Sequence, residues 1–108
     1  AAVLQGLTFP GGTDAIRVAC DVSSEEDCLR AMAEAGRAFG GVDVLINNAG
    51  ITHRSAFAAT RPEVIRRVMA VNFFGALHCT HAALADLVAR RGMVIAVSSV
   101  ATISSVPG

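Results

Sequence analysis

The chain has 108 residues, 53% of them hydrophobic, and its nine basic and nine acidic side chains cancel to zero formal charge. That length admits at most one small domain, and without a basic stripe neither nucleic acid nor an anionic membrane is expected as a partner. All nine basic residues are Arg, and Lys, Tyr and Trp are absent.

Three cysteines, Cys20, Cys28 and Cys79, are odd in number and have no two-residue spacing of the zinc-knuckle or redox kind. Free thiols in a reducing cytoplasm are the expectation. No run of about 18 apolar residues marks a membrane span, and no charged-then-apolar N-terminal segment marks a signal peptide. A start at Ala1 and an end on the turn signal Val106-Pro107-Gly108 point to a piece of a longer chain.

In chain order, residues 1–5 read as the tail of a helix and Phe9 to Asp14 as a loop. Ala15 to Cys20 is apolar enough for a buried strand, which ends at Asp21-Val22. Ser23-x-x-Glu26 forms a capping box, and Glu25, Glu26 and Asp27 load the first turn of the helix it opens. Leu29, Met32, Ala33, Gly36 and Phe39 give that helix one apolar stripe, and Gly40-Gly41 ends it.

Val42 to Ile46 is a second buried-type strand. It runs into Asn47-Asn48-Ala49-Gly50, two amides followed by two very small residues. Amides carry donors and an acceptor that can tie strand ends together, and the small residues let a bulky group approach the backbone. After a mixed loop, Thr60-x-x-Glu63 reads as a second capping box with Pro62 in the first turn. The long segment it opens, to about Arg90, is apolar on more than one face and carries Val71-Asn72 in its middle. Gly92 closes it, and Met93 to Val97 is a third strand ending in Ser98-Ser99.

Strand, helix, strand, helix, strand predicts right-handed crossovers and a parallel sheet. The strand ends at Asp21, Asn47-Asn48 and Ser98-Ser99 then lie side by side on one rim, where open α/β sheets bind ligands. Asn72 sits on the crossover between two of them, an amide where a helix interior disfavours one. Alone, each of these is an ordinary turn, strand end or buried amide. Together they fall in order, 27, 24 and 27 positions apart from Asp21 to Asn48, Asn72 and Ser99.

Asp21-Val22, Asn47-Asn48-Ala49-Gly50, Val71-Asn72 and Val97-Ser98-Ser99 resemble the short-chain dehydrogenase/reductase family from about residue 15 onward. The resemblance implies an incomplete Rossmann-like doubly wound parallel α/β sheet, with the first two strands and the C-terminal part missing. On that view residues 1–108 are the central portion of one NAD(P)-binding domain. It implies NAD or NADP as cofactor, with Asp21, Val22, Asn48, Ala49, Gly50 and Val71 as cofactor-binding positions. Asn47 would hold the central strand, Asn72 would kink its helix and carry a proton-relay water on its main chain, and Ser99 would orient the substrate oxygen. The implied activity is interconversion of a secondary alcohol and a carbonyl by hydride transfer, in a homo-oligomer paired through the 60–90 helix.

The sequence departs from that pattern. The Gly-rich phosphate loop and the residue that separates NAD from NADP are absent. So are the catalytic Tyr and Lys expected after Ser99, and Thr102 stands where a Gly is common. The 108 residues alone are therefore expected to be inactive, and the alternative is a truncated nucleotide-fold remnant with no turnover. Ser105 is a second candidate serine. His78 and His81, three apart on one helix face, are candidate metal ligands without a third partner, and no metal is expected.

Overall fold

The structure is a computed structural model that describes residues 14–99. The helix tail expected at 1–5, Thr102 and Ser105 lie outside the described residues. Along the chain come α1 (Glu25–Phe39), β1 (Val44–Asn47), a short 3-10 turn (Phe57–Ala59), α2 (Pro62–Asn72), α3 (Phe74–Ala89) and β2 (Met93–Ala96).

Helix α1 starts one residue later than the capping box predicts. Its N-cap is Ser24, whose Oγ accepts from the Asp27 N–H at 3.2 Å. Ser23 is unavailable because Asp21, two residues ahead, captures it. Asp21 Oδ1 accepts from both the backbone N–H and the hydroxyl of Ser23, at 3.0 and 2.7 Å. Such Asx turns compete with capping. Asp27 closes the corner by accepting from the Asp21 N–H at 2.9 Å. The far end is as predicted: Gly40 adopts φ 85 and its N–H reaches Gly36 O at 2.9 Å. Arg90 sits over that carbonyl end, with Nη2 donating to Gly40 O at 2.6 Å and Nη1 to the Asp43 carboxylate at 3.2 Å. A cation there suits the negative end of the helix dipole.

The two strands pair in parallel, Val44 with Met93 through Asn47 with Ala96. The strand expected over 15–20 does not form among the described residues. An apolar run becomes a strand only against a neighbour that bonds its backbone. β1 and β2 bond each other, while Ala19 O is taken by Arg30 Nη2 at 2.6 Å.

The capping box at Thr60 does not form either. Pro62 forces its predecessor into extended conformation. Arg61, at φ −72 and ψ 144, is therefore the N-cap, without a side-chain bond. The Thr60 hydroxyl donates instead to Ala56 O at 2.9 Å.

The long segment is two helices, joined at Phe73 right after Asn72. Taken as one run of 28 residues, Pro62–Ala89 is long and apolar enough to cross a membrane by length and composition. That corrects the expectation that no such segment exists. In the fold, the break at Phe73 divides the run, and α3 packs on α1 and both strands.

Helix α3 ends in a Schellman arrangement, Gly92 N–H to Leu87 O at 2.8 Å and Arg91 N–H to Val88 O at 3.3 Å. The left-handed residue is Arg91, at φ 50, and not the glycine. Gly92 is needed for another reason: a Cβ there would collide with the carbonyl oxygen of Asp43.

The core is Leu45, Ala83 and Leu87, with Met32, Val42 and Cys79 against it. Leu45 is buried while its neighbours Val44 and Ile46 are exposed, and all of β2 is exposed. One face of the sheet is thus helix-covered and the other is an apolar surface, where a parallel sheet ordinarily has cover on both.

Candidate functional site

The carboxyl ends of β1 and β2 open into a cavity of about 280 Å³. Residues Leu45 to Ala49 and Ala96 to Ser98, from the strands and their exits, line it, together with Val22 from the turn before α1 and Asn72, Gly75, Ala76 and Cys79 from the helices. Four of the eight expected cofactor-binding and catalytic positions thus meet at one place: Val22, Asn48, Ala49 and Asn72.

Asn47 is fixed in two ways. Its main-chain carbonyl accepts from Val97 N at 3.0 Å, which joins the strand ends. Its side-chain Nδ2 donates to the Thr80 hydroxyl of α3 at 3.0 Å. The amide ties the strand to the helix above it, not to the next strand. Asn48 and Ser98 have no side-chain hydrogen bond among the described residues, so an amide and a hydroxyl remain to meet a ligand.

Asn72 closes the cavity from the helix side. Its Oδ1 accepts from Ile51 N and its Nδ2 donates to Ile51 O, both at 2.8 Å. This two-way clasp pins the residue that follows Gly50. A Cβ on Gly50 would stand 3.5 Å from Asn72 Oδ1, an ordinary contact, so the glycine is sterically permitted there but not demanded. Because Asn72 is the last residue of α2, its amide leaves the helix interior that would penalise it.

Val22 is held from several sides. Its carbonyl lies 3.0 Å from His78 Nδ1 and accepts from Cys28 Sγ at 3.5 Å. Its side chain fills the space over Gly75, where a Cβ would be 2.6 Å from Val22 Cγ2. Asp21 is beside it but turned away from the cavity. The Ser23 hydroxyl and N–H, and more weakly Arg67 at 3.8 Å, hold its carboxyl below the usual carboxylate range. Arg67 Nη1 also donates to Ser23 Oγ at 3.1 Å, so α2 grips this corner.

Besides Asp21, three expected positions do not line the cavity. Val71 is buried inside α2, 6% exposed. Gly50 lies just past the rim, and Ser98 lines the cavity where Ser99 does not. Gly75, Thr80 and Arg67 were not singled out from the sequence. Gly75 carried one signal, a glycine inside a helical segment with no turn to make. Among the described residues no group of three or more His, Cys, Asp or Glu is placed to hold a metal, and His78 Nδ1 faces Val22 O.

A dinucleotide can be tested against these residues. The small residues Ala49, Gly75 and Ala76, the amide of Asn48 and the hydroxyl of Ser98 suit a ribose and a flat ring. No cation lines the cavity among the described residues, so nothing there suits the phosphates.

The profile of the short chain dehydrogenase family matches residues 1–108. The chain is 43% identical over 91 residues to dehydrogenase/reductase SDR family member 7B of Bos taurus, covering 83% of this chain and 28% of that protein. It is 38% identical over 92 residues to 11-beta-hydroxysteroid dehydrogenase A of Arachis hypogaea, covering 83% of this chain and 26% of that protein. Among solved structures it resembles ElxO with NADP bound, at TM-score 0.74 and 28% identity over 81% of this chain and 36% of that one. It also resembles a gluconate 5-dehydrogenase from Burkholderia cenocepacia in complex with NADP and tartrate, at TM-score 0.74 and 31% identity over 81% of this chain and 34% of that one. The chain therefore spans about a quarter to a third of the length of these proteins. A parallel pair of strands opening on Asn47-Asn48-Ala49-Gly50, beside helices that meet at Phe73, fits an incomplete Rossmann-like sheet, and the chain belongs to the short-chain dehydrogenase family.

Proposed function

We propose that the protein carrying this chain is an NAD(P)-dependent oxidoreductase that interconverts a secondary alcohol and a carbonyl on a small molecule. The observation that carries this is the cavity at the carboxyl ends of two parallel strands, where Val22, Asn48, Ala49, Asn72 and Ser98 converge. The NADP named for both solved relatives supports the choice of cofactor.

When bound, the dinucleotide supplies the hydride donor or acceptor. Val22, fixed by His78 and Gly75, gives the adenine end an apolar wall. Asn48 and Ala49 border the ribose side. The Asn72 clasp on Ile51 holds the loop beyond Gly50 in place, so that the rim keeps its shape. Ser99, next to the cavity-lining Ser98, orients the substrate oxygen once the chain beyond it is in place. Proton transfer needs a group this chain does not contain, since it has neither Tyr nor Lys. The 108 residues by themselves are accordingly inactive, and the full-length cytoplasmic protein performs the reaction. Phe73, Phe74, Leu77, Leu84 and Val88 are all exposed on α2–α3, which supports a homo-oligomer through that surface.

The test is fluorescence titration of the full-length protein with NADPH and NADH, followed by turnover on a panel of ketones. Binding with turnover supports the reading, and no dinucleotide binding overturns it. Binding without turnover on any substrate would favour the remnant reading. For the isolated 108 residues, turnover above blank would show that the proton donor has been placed wrongly.

A further inference from the structure

Cys79 and Cys28 come from different helices, α3 and α1, yet their sulfurs lie 3.6 Å apart, Cys79 Sγ donating to Cys28 Sγ. The two differ in access. Cys79 lines the cavity at the strand ends. Cys28 is completely buried and passes its own proton toward Val22 O, 3.5 Å away. Cys20 also faces Cys28, but of the three thiols only Cys79 lines the cavity.

We propose that Cys79 and Cys28 are a peroxide-responsive disulfide pair, in which Cys79 meets the oxidant at the cavity and Cys28 resolves it. The oxidant is a hydroperoxide. The Cys79 thiolate attacks the outer peroxide oxygen, the O–O bond breaks, and the alcohol leaves with a proton, which makes Cys79 a sulfenic acid. The Cys28 sulfur then attacks Cys79 Sγ, the S–O bond breaks, and the departing hydroxide takes the Cys28 proton to leave as water. Two thiols lose two electrons together, and one hydroperoxide is reduced to an alcohol and water. A transient bond of this kind suits a protein that otherwise keeps its thiols reduced. The sulfur contact does not depend on the proposed function, but a dinucleotide in the cavity would cover Cys79 and slow its reaction with peroxide. Burial holds the Cys79 thiol above its ordinary pKa, so the reaction is slow at neutral pH and accelerates as pH rises.

The test is peptide mapping under non-reducing conditions after exposure of the full-length protein to tert-butyl hydroperoxide, once in native buffer and once in concentrated urea. In urea, loop closure decides between the pairs. The Cys20–Cys28 loop is far shorter than the 51 residues separating Cys28 from Cys79, which favours Cys20–Cys28 by about tenfold. In native buffer the order is expected to invert, with Cys28–Cys79 the principal link, and to stay so in Cys20→Ser. In Cys28→Ser, dimedone should label Cys79 as the stranded sulfenic acid. The same distribution in both solvents would overturn the proposal, and so would Cys20–Cys28 as the principal native link. Dimedone labelling of Cys20 in place of Cys79 would overturn the assigned order.

Discussion

Val22 and Gly75 are packed so closely that a Cβ on Gly75 would stand 2.6 Å from Val22 Cγ2 and 3.0 Å from Val22 Cβ. Gly75 lies in the first turn of α3 and is buried, so neither residue can withdraw into solvent. Gly75→Ala is expected to destabilise the fold by about 1–3 kcal/mol, the usual cost of overpacking. Most of that loss should return in the double variant Gly75→Ala, Val22→Ala, because the offending methyl is then gone. Urea unfolding of the single and double variants measures the coupling. Purely additive losses would mean that the two side chains do not meet.

Asn72 holds Ile51 through both its donor and its acceptor at 2.8 Å. Asn72→Asp keeps the acceptor and loses the donor, and Asn72→Ala loses both. Each bond is exposed, so each contributes about 0.5–1.5 kcal/mol. Amide exchange at Ile51 should therefore quicken about tenfold in Asn72→Ala, and global stability should fall by about 1–3 kcal/mol. Protection of the Ile51 amide at the parent level in Asn72→Ala would show that the clasp does not hold the loop.

The legible part of this chain was what backbone spacing and residue size determine. Asn47 to Gly50 after an apolar run announced a strand end with room beside it, and the distances to Asp21 and Asn72 placed the neighbours. The stop at Gly40 also followed from local chemistry, whereas the break beside Asn72 was implied only by the family resemblance. What failed depended on a competitor. Ser23 lost its cap to Asp21, Thr60 lost its own to the proline two positions later, and residues 15–20 found no neighbour to bond. The site's supports were illegible for a related reason. Gly75 under Val22, Thr80 on Asn47 and Arg67 on Ser23 are pairings between distant segments, and nothing in any one segment names its partner.

Arg91 occupies the left-handed position after α3, at φ 50, where a Cβ costs about 1 kcal/mol. The hydrogen bonds of the motif run from backbone N–H groups, so they survive loss of the side chain. Arg91→Gly is expected to raise the unfolding free energy by about 0.5–1 kcal/mol, as read from the urea midpoint at unchanged slope. Arg91→Ala keeps the strained Cβ and should give no such gain. Equal effects from the two variants would trace the change to the lost guanidinium and not to the backbone.

Burial, with a smaller contribution from the Cys79 contact, pushes the Cys28 thiol up to about 11 from an ordinary 9.0. The sign follows from the neutral form being the one the fold favours. Below pH 9 folded and unfolded chains both carry the protonated thiol, and its contribution to stability is fully present. Between about pH 9 and 11 the unfolded chain ionises Cys28 while the folded chain does not, and stability falls as pH rises. Cys20 and Cys79 are also raised by burial and act in the same direction. With no Tyr and no Lys in the chain, cysteines are the only side chains that titrate in that window. Urea unfolding across it should show declining stability in the parent chain and a clearly shallower decline in Cys28→Ala, on top of a constant offset for the lost packing. An identical slope in the two chains would mean that Cys28 is as accessible to hydroxide in the folded state as in the unfolded one.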